Sequence, residues 1–148
     1  MQEFSAIFSN NVLFVAAISW LTAQGMKVLI TFILQRKLDL SRMLGLGGMP
    51  SSHAAFLCAA SMAIGFQEGF SSALFALATC ITLVVMTDAA GVRQAAGKQA
   101  AVLNRIIDDM IHEGKGIDEE KLKELIGHTP VQVFAGALLG ILVGVVFG

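Results

Sequence analysis

The amino-acid sequence predicts an all-α, polytopic membrane protein, and three observations lead to that prediction. Hydrophobic residues make up 55% of the chain, charged residues only 14%, and the mean hydropathy is +0.74. This composition is more apolar than that of ordinary soluble domains. The apolar residues also fall into long runs that glycine-rich or charged segments separate. We therefore expect residues 1–148 to form one membrane-embedded domain, a helical bundle with about four transmembrane helices.

The apolar runs predict the individual helices in order. Residues 11–35 are long enough to cross the hydrocarbon at about 1.5 Å per residue. Charged residues and then glycines over 36–50 end that helix and predict a loop. We expect a second, shorter helix over 51–66, a third over 73–92 after the turn "QEGFSS", and a fourth over 130–147.

The segment between the third and fourth apolar runs, about 94–127, differs from the rest in composition. Its charges are mixed, and its apolar residues recur at helical spacing. We expect an amphipathic helix outside the hydrocarbon, a break at "EGKG", and a solvated surface position for His112.

The basic residues predict the orientation in the membrane. Nine of the ten Lys and Arg residues lie in or beside the 36–50 and 94–127 segments, and the tenth, Lys27, lies within the first helix. Because cytoplasmic loops are enriched in Lys and Arg, these segments are predicted to be cytoplasmic and both termini non-cytoplasmic, as in a multi-pass protein of a bacterial inner membrane. No basic residue precedes the first apolar run, so we expect it to be retained rather than removed as a signal peptide.

Several other classes of function find little support in the sequence. The net charge of −1 offers no basic face for nucleic acid. Cys58 and Cys80 lie in separate apolar runs, so we predict structural roles rather than a disulfide or metal site. Gly136, Gly140 and Gly144 form a smooth ridge on the last helix, which favours either close packing inside the bundle or a homo-oligomer contact.

The stretch "GGMPSSHAAF" joins a glycine-rich turn to the start of the second helix. Ser51 or Ser52 can cap that helix, whose first N–H groups lack partners within it. The helix dipole adds positive potential, so a phosphate is a natural ligand, with His53 beside it as a proton donor. Taken alone, the same pattern also fits a simple helix cap with an interfacial histidine.

Other polar residues strengthen the phosphate interpretation. Arg93 offers a planar fork for phosphate oxygens, although it also suits a cytoplasmic membrane anchor. Lys27 either snorkels toward the headgroups or projects into a polar cavity, and Gln24, one turn earlier on the same face, favours the cavity. Asp88 is the nearest acid at a comparable depth.

The stretch "GHTPVQVFAGALLG" places His128 just before the last helix. Thr129 and Pro130 are typical helix-start residues, and the side chain of Gln132 can reach back to the imidazole. An imidazole oriented in this way can accept a phosphoryl group, and a second histidine can protonate the departing oxygen.

Together, "GGMPSSHAA", "TDAAGVRQAAGKQAAVLN" and "GHTPVQVFAGALLG" resemble the divergent branch of the type 2 phosphatidic acid phosphatases, which are related to vanadium-dependent haloperoxidases. The resemblance implies that Ser51 and Ser52 bind phosphate, with His53 as general acid and His128 as nucleophile. It further implies that Lys27 and Arg93 neutralise the phosphoryl oxygens. No metal or other cofactor is implied, and phosphate or vanadate would occupy the site.

The chain departs from the superfamily pattern at four points. Ser52 replaces a glycine, the first motif lacks its arginine-proline ending, and 34 residues rather than five separate Arg93 from His128. Gln132 stands where the superfamily has an acid. A neutral amide orients His128 but does not stabilise an imidazolium as a carboxylate does. This chain is therefore either a weak or inactive natural variant, or it carries a deliberate Glu-to-Gln change.

The sequence thus predicts an integral membrane lipid-phosphate phosphatase. Phosphatidic acid, phosphatidylglycerophosphate and polyprenyl phosphates remain open as substrates, and membrane lipids are the expected surroundings. The alternative is a non-catalytic lipid-phosphate-binding protein or scaffold, which Gln132 favours. A transporter is less favoured because no inverted repeat is evident.

Overall fold

The computed structural model describes residues 6–36, 48–112 and 128–148, and gives only the backbone at 35, 92–94 and 107–112. The elements of these ranges are all α-helices, which confirms the expected all-α membrane bundle. They are α1 (Asn11–Gln35), α2 (Ser52–Glu68), α3 (Ala73–Ala90), α4 (Val92–His112) and α5 (Pro130–Phe147). The predicted break at "EGKG" lies outside the described residues.

Local signals account for the helix boundaries. Asn10, Ser51, Ser72 and Thr129 are N-caps, and each side chain accepts a hydrogen bond from a first-turn N–H group. Two predicted boundaries were wrong by two residues, since α2 runs on to Glu68 and α3 already ends at Ala90. Gly91 separates α3 from α4, so the amphipathic helix starts earlier than the sequence predicted.

Helix α2 is the central element of the bundle and packs against α1, α3 and α5. Its buried residues are small, among them Ala54, Ala55, Ala59 and Ala63, so the neighbouring helices approach closely. Because protein rather than lipid surrounds much of it, α2 does not need the length or the large apolar side chains of a lipid-facing helix.

Within the described residues, three stretches are long and apolar enough, by length and composition, to cross a membrane. They are Asn11–Leu34, Ala73–Ile106, which combines α3 with the start of α4, and Pro130–Phe147. The central helix α2, with 17 residues, is shorter than these.

Contacts between helices define their directions. Ser19 Oγ donates to the Ala55 carbonyl at 2.9 Å, whereas Lys27, further along α1, contacts Ser52, so α1 and α2 are antiparallel. The Ser61 and Thr82 hydroxyls are 2.9 Å apart, and Cys58 lies opposite Met86, so α2 and α3 are also antiparallel. The end of α1, the start of α2 and the end of α3 therefore share one end of the bundle.

Helix α5 runs parallel to α2, and the glycine ridge lies in the contact between them. A Cβ atom added at Gly136, Gly140 or Gly144 would collide with Ser51, Ala55 or Met62, respectively. The structure thus shows these glycines in close packing inside the bundle, which was one of the two alternatives. Homo-oligomerisation itself stays a prediction, and it would need a surface other than this ridge.

The start of α1 and the end of α5 meet at the end of the bundle opposite the start of α5. Asn11 Nδ2 is 3.5 Å from the Phe147 carbonyl oxygen, so the start of α1 meets the end of α5. The start of α1 and the end of α5 therefore share one end of the bundle, and the starts of α2 and α5 share the other.

Candidate active site

The "PSSH" segment is attached directly to the start of α5. Ser51 is the N-cap of α2, is fully buried, and accepts a hydrogen bond from Ala54 N–H at 3.5 Å. Its own N–H donates to the Gln132 carbonyl at 2.9 Å. This backbone contact connects two segments that lie about eighty residues apart in the sequence, and it requires the close approach that Gly136 allows.

Lys27 is buried beside the same segment. Its side chain is 2% exposed, and Nζ donates to Ser52 Oγ at 3.1 Å. Gln24, one turn earlier, is 4% exposed. The lysine therefore projects into the bundle rather than snorkelling to the headgroups. A hydroxyl group does not balance the charge of a buried ammonium, and an anion placed next to Ser52 would do so.

Gln132 contacts both the first turn of α5 and His128. Its Oε1 atom accepts a hydrogen bond from Thr129 N–H at 3.0 Å, while Thr129 Oγ1 accepts from Gln132 N–H at 3.4 Å. These two bonds form a capping box, with Pro130 at the first helical position. The predicted helix start is confirmed.

The capping box also determines the protonation pattern of His128. Oε1 of Gln132 lies 3.3 Å from His128 Nδ1. Because an N–H group already donates to this Oε1, the atom is the amide oxygen, and Nδ1 must be the donor of the second bond. We therefore assign the proton of the neutral imidazole to Nδ1, so that Nε2 is the nitrogen without a proton.

The two histidines predicted to act on phosphate lie close together. The ring centroids of His53 and His128 are 6.3 Å apart, and the ring planes are inclined by 61°. His53 is the second residue of α2, and His128 precedes α5 and is 5% exposed. Both imidazoles therefore lie at the N-terminal ends of helices, where free N–H groups and the helix dipoles favour an anion.

Two cavities adjoin these residues. A cavity of about 230 Å³ lies between the second half of α1 and the start of α5, and one of about 450 Å³ opens between α1, α2 and α3. The smaller is lined by Lys27, Ile30, Thr31, Leu34, Gly48, Met49 and Gln132, and the larger by Trp20, Ser52, His53, Phe56, Leu57 and Val85.

The remaining predicted site residues are less completely described. Asp88 is half-buried near the end of α3, at the same end of the bundle, but the described contact of the Lys27 ammonium is with Ser52. Arg93 lies in the first turn of α4 and His112 at its end, and both side chains lie outside the described residues.

Sequence reasoning missed Thr31 as a lining residue. It follows Lys27 by one helical turn, so the signal was a second polar residue on the same face of an apolar helix. The link between Ser51 and Gln132 was also missed, because backbone contacts between distant segments leave no pattern in the side chains.

Comparison with known proteins gives one family match and one similar bacterial protein. The sequence profile described as "Divergent PAP2 family" matches residues 8–143. The "Uncharacterized membrane protein YuiD" of Bacillus subtilis (strain 168) is 43% identical over 134 residues, which cover 84% of this chain and 85% of that protein. No solved structure matches the chain significantly. The family match spans the segments that carry His53 and His128.

Proposed function

Because the chain belongs to the Divergent PAP2 family, we propose that it is an integral membrane phosphatase that hydrolyses a lipid phosphomonoester or diphosphate through a phosphohistidine. The observation that carries the proposal is the position of His128, which is hydrogen-bonded to Gln132 and lies close to His53. The ring centroids of the two histidines are 6.3 Å apart. One imidazole carries its proton on the nitrogen that faces Gln132, and a second imidazole is close enough to exchange protons on the same phosphate.

In the proposed first step, the lone pair of His128 Nε2 attacks phosphorus. The N–P bond forms as the bond from phosphorus to the lipid oxygen breaks. His53, in its protonated form, donates its proton to that oxygen, so the lipid leaves as an alcohol, or as a monophosphate when the substrate is a diphosphate.

In the second step, a water molecule displaces His128 from phosphorus. Neutral His53 accepts a proton from the water as its oxygen attacks phosphorus, and the N–P bond breaks. Inorganic phosphate leaves, His128 recovers its neutral form, and His53 is again protonated for the next cycle. The reaction needs no metal ion, as the resemblance implies.

Positive groups at the site would stabilise the negative charge of the phosphoryl oxygens. Lys27 supplies a buried ammonium, and the start of α2 supplies backbone N–H groups beside Ser51 and Ser52. Arg93 would add a planar fork, as the resemblance implies. Each of these groups favours the transition state only if the phosphate lies between α2 and α5.

Gln132 would make this chain a slow enzyme. Its oxygen holds the imidazole in the required tautomer, but a neutral amide gives little stabilisation to the positive charge that develops on His128. Loss of the corresponding carboxylate in the serine protease triad lowers the rate by about 10⁴-fold. Turnover should therefore be low although the geometry is correct.

We place the site on the cytoplasmic side of a bacterial inner membrane, with both termini on the opposite side. Nine of the ten basic residues lie in or beside the 36–50 and 94–127 segments of the sequence, and cytoplasmic loops are enriched in Lys and Arg. The contact between Asn11 and Phe147 at the other end supports a common side for the termini.

A second candidate function is binding of a lipid phosphate without hydrolysis. The specific observation in its favour is the neutral Gln132 beside His128. This protein would use the same buried Lys27 and the same helix N-termini, and it would retain phosphate affinity while lacking turnover.

Release of inorganic phosphate separates the two functions. The unmodified chain, its Gln132→Glu variant and its His128→Ala variant are assayed against phosphatidic acid, phosphatidylglycerophosphate and a polyprenyl phosphate, with Lys98→Met as an exposed control. The phosphatase predicts release that rises in the glutamate variant and disappears in the alanine variant. If all folded variants are inert, the binding function is favoured.

A further inference from the structure

The larger cavity beside His53 adds a specific prediction about the substrate. We propose that the groove between Trp20, Phe56, Leu57 and Val85, here called the chain groove, holds the apolar chain that is attached to the leaving oxygen. This inference rests on the proposed phosphatase function, because it assigns the apolar chain of the substrate to one cavity and its phosphate oxygens to the other.

The chain groove is continuous with the phosphate site. Ser52 and His53 line the end of the groove that adjoins the phosphate site, and both belong to the first turn of α2. Phe56 and Leu57 follow His53 by three and four residues, so they extend the same face of α2 beyond the histidine. A molecule that touches His53 can therefore continue along an apolar wall without crossing a polar surface.

The spacing of residues along α1 shows how far the groove extends from the phosphate site into the membrane. Trp20 precedes Lys27 by seven residues, so it lies on the same face and about 10 Å further along the helix axis. The ammonium of Lys27 is near the phosphate position, and Trp20 is two turns deeper in the bundle. The groove thus runs from the charged end of the site towards the apolar interior of the membrane.

Chemistry determines which part of the substrate faces this groove. The leaving oxygen must approach His53 to receive a proton, and the chain that carries this oxygen then lies beside the same residue. The smaller cavity contains Lys27, Thr31 and Gln132, which can bind phosphate oxygens and water. The two cavities therefore suit the two products, an apolar alcohol and inorganic phosphate.

Either a diacylglycerol or a polyprenyl alcohol has the required chemistry, since both carry an apolar chain on the leaving oxygen. The test compares phosphatidic acid and farnesyl phosphate with butyl phosphate, which is too short to reach Trp20. The variant Val85→Phe narrows the groove, and Val84→Phe is the matched control because Val84 is 66% exposed on the outer face of α3.

We expect Val85→Phe to lower kcat/KM for one or both long-chain substrates by about ten-fold relative to Val84→Phe, because overpacking displaces the chain. The two variants should differ by less than about two-fold on butyl phosphate. The long-chain substrate whose kcat/KM decreases more is the one whose chain packs more closely against Val85. Equal kcat/KM values of the two variants on both long-chain substrates would overturn the groove assignment and leave the phosphatase function intact.

A binding measurement tests the groove even if no substrate is hydrolysed. Trp20 is the single tryptophan of the chain, so the tryptophan fluorescence comes from one position beside the groove. In detergent, a hexadecylphosphonate with a brominated chain should quench this fluorescence in a saturable manner, more strongly than brominated hexadecanol does. Val85→Phe should weaken the saturable quenching by the phosphonate, and Val84→Phe should not. Quenching that is no stronger than that by the alcohol would overturn the proposal.

Discussion

Gln132 Oε1 lies 3.3 Å from His128 Nδ1 and at the same time accepts the N–H group of Thr129 at 3.0 Å. One amide oxygen therefore caps α5 and orients the proposed nucleophile. Because both partners donate to it, the histidine has its proton on Nδ1 and its lone pair on Nε2. The same residue thus determines the start of the helix and the reactive form of the imidazole.

Gln132→Glu should increase the rate of phosphate release. A carboxylate can make both hydrogen bonds of the amide oxygen, and it also stabilises the imidazolium that develops as Nε2 reacts. We expect kcat to rise by at least about ten-fold, a part of the 10⁴-fold effect of a triad carboxylate. Initial rates on phosphatidic acid and a polyprenyl phosphate measure this change, and a lower rate in a folded glutamate variant would contradict it.

A pair of variants separates the capping role of Gln132 from its role in orienting His128. Gln132→Ala and Thr129→Ala each remove one side chain of the capping box, so each should lower the free energy of unfolding by about 1 kcal/mol. Only Gln132→Ala removes the partner of Nδ1, so only this variant should lose most of its kcat. Equal kcat losses in the two variants would indicate a purely structural role.

Gly136→Ala should impair both stability and activity. Its Cβ would collide with the Ser51 carbonyl, so α5 must move away from the "PSSH" segment and the bond from Ser51 N–H to Gln132 is lost. Gly25→Ala is the matched control, because a Cβ there meets nothing within 4 Å. The unfolding temperature and the rate of phosphate release should both decrease in Gly136→Ala. Neither should decrease in Gly25→Ala. Unchanged activity of Gly136→Ala would contradict the described contact.

Lys27→Met should weaken the binding of phosphate. The substitution keeps much of the volume of the buried side chain but removes the ammonium that contacts Ser52. Inorganic phosphate should therefore become a weaker competitive inhibitor, with an inhibition constant at least about ten-fold higher. Lys98→Met, at an exposed position of α4, should leave the constant unchanged. Equal inhibition constants in the two variants would exclude Lys27 from the site.

The orientation in the membrane can be tested with single cysteines. Arg36→Cys is exposed at the site end of the bundle and Ser9→Cys at the other end, in a background with Cys58 and Cys80 replaced by alanine. In intact cells, a membrane-impermeant thiol reagent should label residue 9 and should label residue 36 only after the membrane is opened. The reverse pattern would contradict the proposed cytoplasmic site.

Short-range features of the site could be predicted from the sequence. Thr129, Pro130 and Gln132 form a helix-start pattern within four residues, and the structure contains the corresponding capping box. The burial of Lys27 was also predictable, because Gln24 on the same face indicated a polar interior. These inferences depend only on spacing along one helix.

Features that depend on contacts between helices could not be predicted in the same way. The sequence allowed either Ser51 or Ser52 as the cap, and only the fold places Ser51 at that position and Ser52 against Lys27. The glycine ridge was recognised, but its partner was ambiguous, because a smooth surface fits any close backbone. Apolar content alone also did not distinguish the lipid-facing helices from α2, whose buried residues lie against its neighbouring helices.

The central claim is that His128 accepts the phosphoryl group, and isolation of the phosphorylated protein tests this most directly. The Gln132→Glu variant is mixed with ³²P-labelled lipid phosphate, quenched in alkali within the first turnover, and digested for mass spectrometry. The mechanism predicts an alkali-stable, acid-labile phosphate on His128 that is absent from His128→Ala. Steady release of phosphate without such a label, or a label that persists in His128→Ala, would contradict it.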